Sequence, residues 1–342
     1  MKTISDIANA AGVSKSTVSR VLNNRPGVNP KAREKIQALI DQSHFTANIA
    51  AKNLKAGHSD TVGVLVPLMT SKTVASYIHG MSVEFESNGI QLLLMNANMD
   101  TRKASVNVRT LNSKGVDGMI VLVAGYNQEL IRAFNESECP VVVVGQDLSM
   151  YQVPSVFFDD YRCGYMAGQQ LLQVGASKLL FLGISAMDVA LGKQRRRGFE
   201  DAISLANVEC QFIADCELNA QSGLKQTQAV LESGYQPDGI FAVTDRIAAG
   251  ASKAMSNAGL AVGEQVAIVG VGDDELCELL TPSLASIHYN YHDVGREAAR
   301  VLIAQIKGKK SEQIAFTHQG SFHWRPSCQL VTINDSLTGK ES

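Results

Sequence analysis

Apolar positions along the first forty-five residues recur at helical spacing in three short stretches. Ile4, Ile7, Ala8 and Ala11 share one helical face behind a capping-box spacing, Thr3-Ile4-Ser5-Asp6, and Gly12 ends the stretch. Val18, Val21 and Leu22 supply the apolar side of a second helix, from Lys15 to about Asn23, and Ser14 can accept from its free first-turn amides. Asn29-Pro30 opens a third, with Ala32, Ile36, Leu39 and Ile40 as its buried stripe, because asparagine caps well and proline suits the first helical position. Three short helices with a tight turn between the first two predict a helix-turn-helix.

From Thr61 the pattern changes to continuous apolar runs that alternate with helical stretches. Val62–Val66, Gln91–Met95, Gly118–Val123 and Val141–Val144 read as buried parallel strands, since their β-branched runs are too unbroken for a half-exposed sheet. The rhythm repeats with strands at Lys178–Leu182, Gly239–Val243 and Val266–Val271, and with helices such as Arg162–Val174 and Arg246–Ala258. Two doubly wound α/β lobes follow, with a ligand expected in the cleft outside the strand C-termini.

Composition narrows the classes. No apolar run reaches the length of a membrane span, and the N-terminus enters an amphipathic pattern without a secretion signal, so a cytoplasmic protein is expected. The six cysteines are scattered, with no CxxC pair and no histidine at metal-ligand spacing, which predicts reduced thiols, no metal site and no cofactor. The net charge of −2 hides an asymmetry: residues 1–60 hold nine Lys/Arg against four Asp/Glu, and the rest holds 22 against 29. A basic end of this kind meets a polyanion while the acidic remainder stays off it.

The run Ile4-Ser5-Asp6-Ile7-Ala8, then Gly12-Val13-Ser14-Lys15-Ser16-Thr17-Val18-Ser19-Arg20-Val21-Leu22-Asn23, resembles the LacI/GalR family of repressors. The likeness continues through Gly164-Tyr165-Met166-Ala167-Gly168, Arg195 before Gly198-Phe199, Thr244-Asp245-Arg246 and Arg325-Pro326-Ser327. It implies an all-α helix-turn-helix headpiece (1–46), a hinge helix or linker (47–60) and a two-lobed α/β core like the periplasmic binding proteins (61–334). The N-lobe would hold about 61–159 and 289–318 and the C-lobe about 160–288 and 319–334, with a disordered tail from 335.

In such a headpiece Lys15, Ser16 and Arg20 face the major groove, where arginine can bond guanine O6 and N7 together. Thr3, Ser14, Thr17, Ser19 and Asn23 are short polar residues near helix ends, suited to phosphate oxygens. Asn48–Ala56 is too short to hold a helix alone in water. The resemblance implies that it becomes helical on the operator, with Asn48, Ala51 and Lys55 against DNA and Leu54 wedged into a minor-groove step. A plain linker is the competing reading. Ala47 stands where the family often has a proline.

For the effector, the resemblance points to Arg195, whose guanidinium can fork across two ligand oxygens. Met69 and Ser71 at the end of the first strand, Gln146 after the fourth, Phe158 and Asp159 near a crossover, Thr244 and Tyr289 are further candidates. Where the family often has an aspartate after the penultimate strand this chain has Gly272, so Asp273 is expected either to substitute from a shifted loop or to cap a helix. The segments 144–147 and 188–193 are similar to repressors of sucrose and trehalose utilisation. Sucrose or a related disaccharide leads as the effector; trehalose 6-phosphate, another sugar phosphate, or a corepressor design are alternatives. No GxSxG, HExxH, P-loop or GxGxxG context supports an enzyme, so no catalytic residues are expected, and a periplasmic carrier would not need residues 1–60. The expected partners are operator DNA, a small saccharide or sugar phosphate, and a second copy of the chain.

Overall fold

The computed structural model describes residues 4–22, 24–42, 58–309 and 311–329, and the chain divides into two units, 1–59 and 60–342. In the first unit, α1 (Ile4–Ala11), α2 (Lys15–Leu22) and α3 (Pro30–Gln42) bury Ile7, Ala8, Ala11, Val18, Val21 and Ile36 against one another. Gly12 ends α1 at φ +74, a left-handed geometry that costs glycine nothing. Ser14 accepts from the Thr17 amide at 3.2 Å, and Asn29 accepts from the Lys31 amide at 3.0 Å. Gly12, Ser14 and Asn29 therefore act as the expected stop and start signals, while Thr3 of the capping-box spacing lies outside the described residues.

The second unit holds two six-stranded sheets. The first is built from β1 (Thr61–Val66), β2 (Gln91–Asn96), β3 (Gly118–Leu122), β4 (Val141–Val144), β5 (Ser155–Phe158) and β11 (Ala315–His318), in the order β11-β5-β4-β3-β1-β2, all parallel. The second is built from β6 (Lys178–Leu182), β7 (Glu209–Ile213), β8 (Gly239–Ala242), β9 (Ala267–Gly272), β10 (Ala285–His288) and β12 (Ser321–His323), in the order β12-β10-β9-β8-β6-β7. Among the described strands of this sheet only the β10–β12 pair is antiparallel. The central strands β3, β4 and β8 are buried throughout, as their unbroken apolar runs require. β2 and β7 lie at sheet edges and are half-buried, so Gln91–Met95 is an edge strand and not a core one.

Helices flank these strands: α4 (Lys72–Ser87), α5 (Thr101–Ser113), α6 (Gln128–Asn135), α7 (Asp160–Gln173), α8 (Arg195–Ile203), α9 (Ala220–Glu232), α10 (Asp245–Asn257), the one-turn α11 (Leu276–Leu279) and α12 (Tyr291–Ile306). A π-helical stretch, Val189–Gln194, leads into α8. The chain passes between the sheets after β5, after β10 and after β11, so the cleft between the lobes is bordered by Asp159, by Tyr289 and by Gln319. No helix among the described residues is long and apolar enough to cross a membrane.

Candidate functional site

Two sites emerge, one in each unit. On the headpiece, Val18 and Val21 turn inward, which leaves Lys15, Ser16 and Arg20 exposed on the opposite face of α2. The Ser14 hydroxyl lies 2.7 Å from that of Ser16 and 2.9 Å from that of Thr17 at the start of the same helix, a cluster of donors beside a positive helix end. Ser19 is half-buried next to Arg20. Thr3, Asn23, Asn48, Ala51, Leu54 and Lys55 lie outside the described residues, as does the tail expected from 335.

The cleft between the two sheets encloses about 530 Å³. Arg195 reaches it from the first turn of α8 and is only 4% exposed. Its Nε donates to Asp160 Oδ1 at 2.7 Å and its Nη1 donates to the Val243 carbonyl. Burial works against this guanidinium, but the Asp160 carboxylate outweighs it and holds the pKa well above the ordinary arginine value. Tyr289 stacks on Phe158 with ring centroids 3.8 Å apart, and the Arg195 guanidinium carbon lies 5.4 Å from the Tyr289 ring centroid. Tyr291 stands edge-on to both rings. A cationic fork beside a flat aromatic surface is what a hydroxyl-rich ring needs: donors at its rim and an apolar platform for its face.

The approach of α8 to α7 positions this arginine. A Cβ on Gly164 would stand 1.8 Å from the Arg195 carbonyl oxygen, and one on Gly198 would stand 1.9 Å from that of Tyr161. Backbones can meet this closely only where the side chain is a hydrogen. The same contact brings Asp160, at the first turn of α7, to the base of Arg195.

Two bridges cross the cleft. Gln146, after β4, donates through Nε2 to Asp188 Oδ1 at 2.9 Å and accepts through Oε1 from the Ala190 amide at 3.1 Å. Asp188 also caps the π-helical stretch by accepting from the Leu191 amide, and burial pushes its carboxyl up to about 6. At the rim, Lys72 of α4 pairs with Glu275 and, at 3.5 Å, with Asp274.

Ser71, Gln146, Phe158, Arg195, Thr244, Asp273 and Tyr289 line the cavity. Met69 and Asp159 do not, contrary to expectation. Met69 turns out to solvent, and the Asp159 carboxylate caps α7 by accepting from the Arg162 amide at 2.9 Å, while its neighbour Asp160 turns inward. Thr244 lines the cavity but also caps α10, accepting from the Ile247 amide. Asp273 sits at φ +56 with its carboxylate shared by Arg325 at 2.7 Å, His323 at 2.8 Å and His288 at 3.1 Å. Burial opposes its charge, yet Arg325 and His323 outweigh burial and hold its pKa below the ordinary aspartate value. The space a side chain at 272 would take is held by Asp245, whose Oδ2 would be 3.0 Å from a Cβ there. Asp160, Asp188, Lys72, His288 and His323 were missed in the sequence, because each acquires a partner only when segments far apart in the chain meet.

Comparison with known proteins gives two family matches. Residues 3–48 match the model described as bacterial regulatory proteins, lacI family, and residues 59–322 match periplasmic binding proteins and sugar binding domain of LacI family. A sucrose operon repressor from Staphylococcus xylosus is 30% identical over 92% of this chain and 96% of that relative. Among solved structures, the lac repressor dimer bound to operator and the anti-inducer ONPF shares the fold, with a TM-score of 0.87 at 22% identity over 96% of this chain and 99% of that one. A complex of the transcriptional regulator CelR with cellobiose aligns with a TM-score of 0.71 at 25% identity, over 96% of this chain and 100% of that one.

Proposed function

The chain belongs to the LacI family of bacterial regulatory proteins, as a DNA-binding transcriptional repressor with a sugar-binding domain, and we propose that its effector is an uncharged disaccharide, sucrose or a close relative. In this reading residues 1–46 hold DNA, 47–60 link, and 61–334 bind the effector and a second copy of the chain. A two-fold dimer then presents two α2 helices to a pseudo-palindromic operator, with Arg20 reading bases and the Ser14 cluster meeting phosphate.

The observation that carries the choice of effector is the charge of the cavity wall. Six carboxylates (Asp160, Asp188, Asp245, Asp273, Asp274 and Glu275) face three cations (Lys72, Arg195 and Arg246), with Arg325 behind Asp273 as a fourth, and Lys72, Arg195 and Arg325 are already paired with acids. A phosphate dianion entering that wall meets net repulsion, whereas hydroxyls find both acceptors and donors. Size and relatives agree: about 530 Å³ is ample for two sugar rings, and the similar proteins include a sucrose operon repressor and a regulator crystallised with cellobiose.

Calorimetric titration of the full chain with sucrose, trehalose and trehalose 6-phosphate tests this, paired with operator binding in the same solutions. Sucrose should bind at least tenfold more tightly than the phosphate and release the operator. Tighter binding of the phosphate would overturn the effector reading, and tighter operator binding with sucrose would make the ligand a corepressor.

A further inference from the structure

We propose that Asp273, His288 and His323 form a binding site for a divalent transition-metal ion, with zinc the best fit, in the wall of the cleft. The inference goes beyond the saccharide reading and does not rest on it. It stands first on geometry. One oxygen of Asp273, Oδ2, lies 3.1 Å from Nδ1 of His288 and 2.8 Å from Nδ1 of His323, and the three residues each offer one ligand atom within 4.8 Å of the other two. A tetrahedral ion with bonds of about 2.0–2.1 Å holds its ligand atoms roughly 3.3 Å apart, so the two carboxylate–imidazole spacings need only open slightly, while the parallel rings must rotate until both in-plane lone pairs meet the ion. Two imidazoles and one carboxylate are the donors that zinc and its neighbours prefer, while calcium and magnesium ask for oxygen alone.

The scaffold supports the same assignment. The three residues sit on or beside adjacent strands: Asp273 just after β9, His288 at the end of β10 and His323 at the end of β12. Ser286 pairs with His323 across the antiparallel ladder, so His288 is its diagonal neighbour on the same face, and the two rings stack with centroids 4.9 Å apart and planes 4° from parallel. Strands hold such a constellation more rigidly than loops do.

Asp273 and His323 also have outer partners of the kind metal sites use to orient their first coordination sphere. Arg325 forms an ion pair with the other carboxylate oxygen, Oδ1, at 2.7 Å, and the Asp273 amide donates to the Ser286 hydroxyl at 3.0 Å. Nε2 of His323 lies 3.3 Å from the Ser321 hydroxyl. When that nitrogen donates to Ser321, the neutral ring is left with a bare Nδ1 lone pair aimed at the carboxylate, and a cation between them satisfies both. The positive charge of Arg325 opposes a metal ion, but Asp273 itself, Glu278 at 3.7 Å from Arg325, and the nearby Asp245 and Asp274 leave the surroundings acidic. Without an ion the same atoms would be a carboxylate accepting from two imidazole N–H groups, and experiment separates the two.

The full-length chain, stripped with a chelator, is titrated with Co²⁺ and followed by its visible absorption, then back-titrated with Zn²⁺. One Co²⁺ per chain should give the intense spectrum of a four-coordinate site, and Zn²⁺ should displace it and raise the melting temperature. His288→Ala and the near-isosteric His323→Gln should each weaken binding at least tenfold with the circular dichroism unchanged, Ser321→Ala should weaken it about tenfold, and the surface variant His79→Ala should not. A chain that takes up no Co²⁺ at tenfold excess overturns the proposal. So does a His288→Ala, His323→Gln double variant that binds Co²⁺ like the wild type.

Discussion

Arg195 and Asp160 are 4% and 7% exposed, so each charge depends on the other for most of what water would have given it. Removing one member of such a pair leaves an uncompensated buried charge, at a cost of about 3–5 kcal/mol, whereas neutralising both costs far less. Arg195→Ala should therefore lower the unfolding free energy of the chain by that amount, and adding Asp160→Asn should recover most of it. Urea unfolding of the two single variants and the double variant measures the coupling, and additive losses would show that the pair does not act as a unit. A binding measurement on Arg195→Ala alone would mix lost ligand contact with lost folding. Resemblance named Arg195 as a candidate, but nothing local chose between Asp159 and Asp160: both open α7, and only the facing helix α8 decides which carboxylate caps and which is buried.

At the scale of elements, caps and unbroken apolar runs were legible because they are local: Gly12, Ser14 and Asn29 do what their chemistry dictates. The strands β5, β7, β10 and β12 are three to five residues long, and their pairing depends on partners distant in sequence. The π-helical entry to α8 was hidden too, since a widened turn leaves no periodicity of its own over six residues. Its function follows from what it adjoins: it carries Asp188 at one end and delivers Arg195 at the other. The contact of α7 with α8 makes a sharper test. Gly164 does not line the cavity, yet a methyl group there would collide with the Arg195 carbonyl. Gly164→Ala should destabilise the chain by about 1–3 kcal/mol and, by displacing the start of α8, weaken saccharide binding at least tenfold. Calorimetry at a temperature where the variant remains folded checks this, and an unchanged affinity would mean that Arg195 can follow the shift without loss.

At the scale of the whole core, a ligand can change what the chain does only through a difference in its affinity for two arrangements of the lobes. The structure has the cleft bridged by Gln146 with Asp188 and by Lys72 with Glu275 and Asp274, so these bonds break when the lobes part. Asp188 makes the balance depend on pH. Burial raises its carboxyl to about 6, with the Asp160 charge pushing the same way, and the Leu191 amide, Gln146 and Arg195 pulling back. Parting the lobes lets water reach it and returns it towards the ordinary value near 4. The bridged form thus binds a proton more tightly than the parted form. Its advantage is full below pH 4, fades as pH rises through 6, and is gone above it. One unit below that pKa, protonation favours the bridged form by roughly tenfold relative to neutral solution. If the saccharide is held between bridged lobes and the parted form predominates without it, its Kd at pH 5 should be up to about tenfold lower than at pH 7, and Asp188→Asn, uncharged throughout, should bind with nearly the same Kd at both. A wild-type Kd that does not fall between pH 7 and pH 5 would mean either that closing the lobes does not desolvate Asp188 or that the bridged form already predominates at pH 7.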